Sequence, residues 1–390
     1  MPNERDRVKG IDDCPSPSAI VRHLDQYVIG QEAAKRTLAV AVYAHYRKLA
    51  LARDEGLEIT KSNVLLVGPT GTGKTLLCES LARLLTVPFV TADATSLAQS
   101  RYVNEEIQAI LERLHDKAAG DIERTQRGIV FIDEVDKLKS AALAAEHGTS
   151  GESVQHALLK IMEGAPVRLS SGDYLDTSNV LFICGGAFVG LEEIMSHSHG
   201  FGFVATSAAD DRRILESLNE RVKPDDLVKF GLIPEFTGRL AIVARLQDLT
   251  RDMLVRILVE PRDCIYRQFQ AILKTQNVEL VVAPRVFGEI ADLAIEYKSG
   301  ARSLRGLFEE LLAPVLFTVP DHPEIRRVEL ASIFSEPRYF KAGAYPRSLL
   351  PRLVQCARAW PSSRSDPTRS AFHFMLSSTL PGERSKQSKA

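Results

Sequence analysis

The chain has 390 residues, of which 45% are apolar and 25% are charged, and its formal net charge is −1. This composition is typical of a globular protein, and the length is enough for two or three domains. No stretch approaches the ~20 consecutive apolar residues of a membrane helix, and the polar N-terminus has no signal-peptide core. We therefore expect a cytoplasmic protein without a membrane partner.

The spacing of the cysteines and the distribution of charge exclude further classes of protein. The five cysteines are spread along the whole chain and form no C-x-x-C pair, which excludes a disulfide framework and a zinc ribbon. We expect reduced thiols and no zinc. From residue 336 onward there are 10 Lys/Arg against 3 Asp/Glu, so an acidic body carries a basic end. Such an end either is simply solvated or contacts nucleic acid or an acidic partner.

In chain order, the pattern first predicts disorder over residues 1–14 and then two helices, over residues 15–30 and 31–53. Five short apolar runs follow, separated by helical segments: NVLLV, TVPFVTADA, GIVFID, NVLFIC and LAIVARL. Runs without polar positions are typical of strands that are buried on both faces. Strands that alternate with helices predict an α/β fold with a parallel sheet over residues 15–246.

The pattern changes at residues 247–250 (QDLT), which we expect to form a hinge. Residues 247–335 are mostly helical, with strand-like segments in NVELVV and RRVELA, and predict a smaller α+β domain. Residues 336–390 are rich in Pro, Ser and Arg and predict a flexible basic tail.

The strongest motif is GPTGTGKT, which matches G-x-x-x-x-G-K-[ST] between a predicted strand and a predicted helix. Its glycines let backbone N–H groups turn toward phosphates, while Lys74 places a cation on the β and γ phosphates and Thr75 offers a hydroxyl to Mg²⁺. The helix adds its positive N-terminal end. We therefore predict binding of ATP with Mg²⁺. The predicted nucleotide-binding residues are Gly68, Pro69, Thr70, Gly71, Thr72, Gly73, Lys74, Thr75 and Leu76.

Two carboxylates end the apolar strand GIVFID, about sixty residues further on. The carboxyl ends of parallel strands are where such a sheet presents its ligands. Asp133 is expected to hold Mg²⁺ through a water, and Glu134 to polarise the attacking water. Lys74, Asp133 and Glu134 are therefore the predicted catalytic set within this motif pair. Cations are also needed against the charge on the γ-phosphate, and composition alone does not select them.

Residues 15–330 resemble ClpX, the AAA+ unfoldase family that feeds a compartmentalised protease. The shared strings keep the family's order and approximate spacing, and the related HslU is a poorer match. They are YVIGQE, AVAVYAHYRK, GPTGTGKT, FIDEVDK, SGESVQHALLKIMEG, LFICGGAF, LVKFGLIPEFTGRL and GARSLR.

The resemblance implies roles for four further residues. Val28 and Ile29 match the segment that packs on adenine, and burial in the core is the alternative role for them. Arg239 matches the arginine finger, which reaches the γ-phosphate in the neighbouring subunit and is counted with the catalytic residues. Arg302 matches the sensor 2 arginine, which contacts nucleotide from the small domain. The family acts as a homo-hexameric ring whose pore loops pull unfolded or tagged proteins.

The pore loop departs from the family pattern Gly-Tyr-Val-Gly, because this chain reads Arg101-Tyr102-Val103-Asn104. The resemblance makes Tyr102 and Val103 the residues that grip substrate, although the flanking glycines are lost. The alternative is an ordinary helix start in which Asn104 caps the turn at Glu105.

Three more departures concern partners. After Gly164 only APVRLSSGDYLD replaces the family's longer basic pore loop. The place of the Ile-Gly-Phe tripeptide that docks a ClpP-like peptidase reads His199-Gly200-Phe201, so Gly200 and Phe201 are the docking candidates. The family's zinc-binding N-terminal domain is expected to be absent, since Cys14 stands alone upstream. Finally, Cys184 occupies the position where many AAA+ proteins place a polar sensor 1 residue.

These observations favour a ring-forming, ATP-dependent protein unfoldase or remodeller, with or without a ClpP-like peptidase. A nucleic-acid-associated AAA+ motor or loader is the alternative, and Arg101 and the basic tail favour it. No known DNA-binding module is visible, which makes nucleic acid the less expected partner. A non-catalytic scaffold is disfavoured because all the catalytic residue types are present.

Overall fold

A five-stranded parallel sheet forms the centre of the structure, a computed structural model that describes residues 14–55, 61–139, 151–199 and 221–341. Its strand order is β2–β3–β6–β1–β7, and every neighbouring pair is parallel. The sheet confirms the predicted α/β fold class. Its strands are β1 (Val64–Val67), β2 (Phe89–Asp93), β3 (Ile129–Asp133), β6 (Leu181–Gly186) and β7 (Ile242–Arg245).

Helices cover both faces of this sheet, which explains why β1 and β6 are buried at every position. Alternate residues of β1 enter two different cores: Val64 and Leu66 pack with α1–α3, whereas Leu65 and Val67 pack with α4, α5 and α7. The first group of helices is α1 (Pro17–Leu24), α2 (Glu32–Glu55) and α3 (Lys74–Leu85). The second group is α4 (Ala94–Gln99), α5 (Val103–Lys117), α6 (Ile122–Gln126) and α7 (Gly151–Glu163).

A short hairpin stands where the sequence predicted only a connection after Gly164. Strands β4 (Pro166–Arg168) and β5 (Tyr174–Asp176) pair antiparallel. Glu112 of α5 fixes the hairpin turn, because its carboxylate accepts hydrogen bonds from the N–H (2.9 Å) and hydroxyl of Ser170. Three short helices then precede or flank β7: α8 (Leu191–His199), α9 (Pro224–Phe230) and α10 (Pro234–Arg239).

The residues after the predicted hinge build a second, smaller core. Thr250 caps the first helix there by accepting from the N–H of Met253. Its apolar core centres on Phe308, whose ring lies 5.6 Å from that of Phe269 and 6.3 Å from that of Phe287. The helices are α11 (Arg251–Val259), α12 (Ile265–Lys274), α13 (Pro284–Glu296) and α14 (Arg302–Thr318). We call residues 251–341 the small unit.

The small unit also contains a three-stranded sheet, of which the sequence predicted two strands. Strands β8 (Glu279–Val282) and β9 (Ile325–Leu330) are the predicted pair, and β10 (Arg338–Lys341) adds antiparallel to β9. The prediction of a tail from residue 336 is therefore wrong for β10. Composition missed it because an edge strand gains its order from the hydrogen-bonding partner, not from apolar residues of its own. Among the described residues, none of the helices has the length and apolar character needed to cross a membrane.

Candidate functional site

The phosphate loop follows β1, and its backbone requires glycine at several positions. The N–H of Gly68 donates to the carbonyl of Gly186 at 3.1 Å, and a Cβ on Gly68 would lie 2.7 Å from the Leu246 carbonyl oxygen. Gly71 (φ 82°) and Gly73 (φ 98°) are in the left-handed region. These glycines let the loop bend tightly into the start of α3.

Lys74 stands at the first position of α3 and is buried under this loop, with 7% of its surface exposed. Its Nζ donates to the carbonyls of Gly68 (2.6 Å) and Pro69 (3.1 Å). Burial lowers the pKa of Lys74, and the carboxylates of Asp133 and Asp136 oppose that shift. Because no side chain of the described residues caps α3, its N-terminal amides and the ammonium together fit a bound phosphate chain.

The carboxylates at the end of β3 lie next to α3. The Thr75 hydroxyl lies 3.5 Å from Oδ2 of Asp133, whose Oδ1 accepts from the N–H of Glu134 at 2.9 Å. Glu134 itself has φ 60°, a left-handed conformation that a residue with a Cβ adopts at a cost of about 1–2 kcal/mol. A hydroxyl and a carboxylate oxygen facing each other are hard ligands, so the donor set fits Mg²⁺.

Two glycines on the neighbouring strand β6 make room for these carboxylates. A Cβ on Gly185 would lie 3.2 Å from Oδ1 of Asp133, and one on Gly186 would lie 2.6 Å from Oδ1 of Asp136. Asp136 is buried and accepts from the N–H of Ala187 at 3.2 Å. The sequence prediction named only Asp133 and Glu134 at this strand end and missed Asp136. The Gly185-Gly186 pair that directly follows an apolar run was the signal for a close approach of side chains.

Cys184, the residue at the sensor 1 position, is packed in the core and not at the site. It is fully buried in the cluster beneath α5 and α7, and burial raises the pKa of its thiol to about 12. A neutral buried thiol behaves as a small apolar side chain, so the structure gives Cys184 a packing role.

The segment predicted to pack on adenine lies beside the phosphate loop. Cγ1 of Val28 is 3.8 Å from the position of a Cβ on Gly73, and Val28 and Ile29 are both buried. Lys35, which is 1% exposed, holds this segment by donating to the Val28 carbonyl (2.6 Å) and to Asp25 (2.7 Å). Leu76 is exposed on the first turn of α3. An apolar wall thus adjoins the cationic loop.

The small unit also reaches the phosphate loop. The N–H of Ala301 donates to the Gly71 carbonyl at 3.3 Å, and a Cβ on Gly300 would lie 2.8 Å from the Thr70 carbonyl oxygen. Helix α14 begins immediately afterwards, at the exposed Arg302. The structure therefore brings Arg302 together with the loop of its own chain.

Arg239 lies elsewhere. Its carbonyl accepts from the side-chain amide of Asn63 at 3.3 Å, which places it at the start of β1, whereas the phosphate loop follows the end of that strand. Its side chain is 44% exposed, and its guanidinium pairs with Glu163, with Nη2 2.5 Å from Oε1. The structure does not bring Arg239 to the phosphate loop of the same chain.

The predicted pore residues separate into one exposed and one buried side chain. Tyr102 is 65% exposed, while Val103 is 8% exposed and belongs to the core, so only Tyr102 of the two predicted gripping residues presents its side chain at the surface. Helix α5 begins at Val103, with Tyr102 at the N-cap and Asn104 inside the first turn, so the helix start of the alternative is present but Asn104 is not its cap. The burial follows because the first helical turn directs Val103 onto the sheet. A cavity of about 490 Å³ adjoins this segment, and Arg101, His156 and Lys160 are among its lining residues.

The docking candidates Gly200 and Phe201 lie outside the described residues. Docking through them stays a prediction.

Comparison with known proteins gives consistent matches along the chain. The family model of the AAA domain (Cdc48 subfamily) matches residues 59–243, and that of the C-terminal, D2-small domain of ClpB protein matches residues 249–329. A protein of Azotobacter vinelandii named ATP-dependent Clp protease ATP-binding subunit ClpX is 46% identical over an alignment of 337 residues, and the match covers 80% of this chain and 76% of that relative. The protein of the same name from Treponema denticola is 47% identical over 322 residues, 78% of each chain.

Proposed function

The chain belongs to the ClpX family of AAA ATPases, and we propose that it uses ATP hydrolysis to unfold or remodel proteins as a homo-hexameric ring. The observation that carries this proposal is the meeting of Lys74, Asp133 and Arg302 at one phosphate loop. It links the turnover of ATP in the large unit, residues 15–246, to the position of the small unit.

The roles of the residues follow from their positions. The amides of the loop and the Lys74 ammonium bind the β and γ phosphates, and Val28 and Ile29 form the apolar wall for adenine. Thr75 and Asp133 would hold Mg²⁺, which would supply positive charge against the phosphate oxygens. Glu134 orients and deprotonates the attacking water from the edge of β3.

The position of Arg239 is an argument for assembly into a ring. A cation must stabilise the charge that develops on the γ-phosphate, and Arg239 lies at the opposite edge of the sheet from its own phosphate loop. Its half-exposed side chain is available to a neighbouring copy. Each active site would therefore combine Lys74 and Glu134 of one subunit with Arg239 of the next.

The exposure of Tyr102 is an argument for a polypeptide substrate. It is an exposed aromatic side chain at the N-terminal end of α5, next to a cavity lined by cationic side chains. Six such residues around a ring axis would form a belt that contacts any extended chain through apolar and aromatic packing. The name of the relatives also supports a peptidase partner, for which Gly200 and Phe201 remain the candidate contacts.

The test is the ATPase rate of the purified protein with and without an unfolded protein. We expect stimulation by the unfolded protein, and we expect Tyr102→Ala to slow unfolding of a tagged fluorescent protein several-fold more than it slows ATP turnover. Tyr339→Ala, an exposed tyrosine on β10 of the small unit, is the control. Stimulation by DNA but not by unfolded protein would contradict the proposal and support a nucleic-acid motor.

A further inference from the structure

A single glutamine joins the segment beside the phosphate loop to the hinge. The Nε2 of Gln31 donates to the Gln247 carbonyl at 2.8 Å, and the Oε1 of Gln31 accepts from the Gln247 N–H at 2.8 Å. The side-chain amide thus pairs with the backbone of Gln247 as one strand residue pairs with another. Both polar atoms of the Gln31 side chain are used on this one partner.

Gln31 is buried and its backbone is strained, so its two hydrogen bonds with Gln247 are needed to hold it in this position. Gln31 is 4% exposed, so an unpaired amide there would lose its hydrogen bonds to water without replacement. It also has φ 63°, in the left-handed region that side chains with a Cβ rarely adopt. A strained, buried residue held by two short hydrogen bonds is positioned by its surroundings with little freedom.

Two neighbouring contacts also attach this segment to the small unit. The N–H of Arg262 donates to the Gln26 carbonyl at 2.9 Å, and Gly30 packs so closely on Met253 that a Cβ there would overlap the Met253 Cε. Residues 26–31, which include the proposed adenine wall, therefore attach to the small unit along one side of the nucleotide site.

The other side of the site is held more weakly. There a backbone hydrogen bond joins the Ala301 N–H of the small unit to the Gly71 carbonyl of the phosphate loop at 3.3 Å, and Gly300 packs against Gly71. A long hydrogen bond between glycine-rich turns opens at less cost than the paired bonds of Gln31. The two joints thus differ in strength, with the stronger joint at the hinge.

We propose that Gln31 is the pivot of the small unit. Its pairing with Gln247 keeps the hinge end of the small unit attached while the end with Arg302 moves toward or away from the phosphate loop. A nucleotide bound between Lys74 and Arg302 then rotates the small unit about Gln31 instead of shifting it as a whole. This positioning role rests on the proposed function, since it describes how that nucleotide site transmits its state.

Gln155 provides a matched control within the same chain. It is also fully buried, its Nε2 donates to the Leu138 carbonyl at 2.7 Å, and its Oε1 accepts from the Ile233 N–H at 2.9 Å. It makes the same two kinds of bond inside the large unit, away from the hinge. Gln31→Met and Gln155→Met therefore remove the same chemistry at two places while keeping the side-chain length.

The experiment measures energy transfer between dyes at Lys117 of α5 and Lys274 of α12, both exposed, in the full-length protein without nucleotide, with ADP and with a slowly hydrolysed ATP analogue. We expect the nucleotide-dependent change in transfer to fall about fivefold in Gln31→Met and to persist in Gln155→Met. In Gln31→Met the kcat for ATP should fall by a similar factor, while the Kd for fluorescent ADP changes less than about threefold.

Gln31→Glu is the second variant, because it keeps the acceptor for the Gln247 N–H but sets a carboxylate oxygen against the Gln247 carbonyl. It should also lose the change in transfer. Thermal unfolding midpoints of the variants establish that they are folded at the assay temperature. An unaltered change in transfer in folded Gln31→Met or Gln31→Glu, or an equal loss in Gln155→Met, would overturn the pivot.

The outcomes also separate the pivot from the proposed function. If the wild-type protein binds no nucleotide, both fail. If the wild-type protein binds and hydrolyses ATP while Gln31→Met responds to nucleotide as the wild type does, only the pivot fails.

Discussion

The two edges of the five-stranded sheet use polar groups in opposite ways. At the carboxyl edge, glycines at positions 68, 71, 185 and 186 keep side chains out, so that backbone amides and the ends of Lys74 and Asp133 face one space. At the amino edge, long polar side chains donate hydrogen bonds to the backbone carbonyls that precede the strands. One edge is thus left open for a ligand, and the other is sealed by the protein itself.

The sealed edge is built by α2 and the residues that lead into β1. The Tyr46 hydroxyl donates to the Arg127 carbonyl at 2.8 Å, before β3. The Lys61 ammonium donates to the Thr177 carbonyl at 2.7 Å and to Val180 at 3.3 Å, before β6. Burial lowers the pKa of Lys61 to about 7 despite the opposing charge of Asp176. These side chains serve the fold, since their polar atoms are already paired within the chain.

Arg239 is the exception at the sealed edge, because its side chain remains partly exposed. If it completes the active site of a neighbouring subunit, Arg239→Ala should reduce ATP turnover about 1,000-fold while leaving the affinity for ADP unchanged. Steady-state ATPase assays and titrations with fluorescent ADP measure the two quantities. Unchanged turnover would show that the two edges do not cooperate across subunits.

Mixing experiments sharpen this comparison. A subunit with Arg239→Ala keeps an intact Glu134, and a subunit with Glu134→Gln keeps an intact Arg239. An equal mixture of the two should be more active than either variant alone, because some interfaces then contain both intact residues. A mixture that is no more active than its parts would argue for an Arg239 that acts within its own chain.

The open edge predicts the next largest effect. Glu134→Gln should lower kcat for ATP hydrolysis about 100-fold because the amide cannot accept a proton from water. ATP binding should persist, since the phosphates contact the loop and Lys74 instead. Asp116→Asn, on the exposed end of α5, is the control and should retain turnover. Equal turnover in Glu134→Gln and the wild type would refute the assignment of the base.

The open edge was largely predictable from sequence. The motif Gly68 to Thr75 and the pair Asp133-Glu134 are local strings, and parallel strands bring their ends to one edge. Strands β1, β3 and β6 were also predictable, because burial on both faces leaves continuous apolar runs. Strand β10 was not, since its order comes from pairing with the adjacent strand β9 and not from an apolar run of its own.

The sealed edge and the joint at Gln31 were not predictable in the same way. Tyr46 and Lys61 reach carbonyls about eighty and one hundred and twenty residues away, and Gln31 meets Gln247 across 216 residues. Single polar residues carry no local pattern that names such partners. Val103 shows the same limit, because the motif match predicted its role while the helix start at Tyr102 decided its burial.

Acid should weaken the sealed edge before it affects the open edge. Burial lowers the pKa of His45 to about 4 from its ordinary 6.5, and the nearby charge of Lys61 adds to that effect. The unfolded chain therefore takes up a proton that the folded chain refuses, so stability is present above about pH 6.5 and is lost as the pH falls toward 4. We expect this residue to cost about 2 kcal/mol of unfolding free energy between pH 7 and pH 5.

Chemical denaturation at several pH values measures that loss. His45→Gln retains a donor for the Asn179 carbonyl, which lies 3.2 Å from the His45 Nε2, but does not titrate. The stability of this variant should therefore fall less steeply with acid than that of the wild type. Parallel slopes for the two proteins would place the acid sensitivity elsewhere in the chain.

The smallest expected effect concerns the contact that holds Arg239 on its own chain. Glu163→Gln removes a pair whose side chains are 44% and 41% exposed, and pairs of this kind contribute at most about 1 kcal/mol. The unfolding free energy should therefore change by less than that amount.

At protein concentrations that limit assembly, freeing Arg239 for the neighbouring subunit should raise ATPase activity by up to about threefold. Glu309→Gln, which removes the exposed pair with Arg305 in the small unit, should leave that activity unchanged. A decrease in the Glu163→Gln variant would mean that Glu163 orients Arg239 for catalysis, and that the sealed edge contributes to the chemistry as well as to the fold.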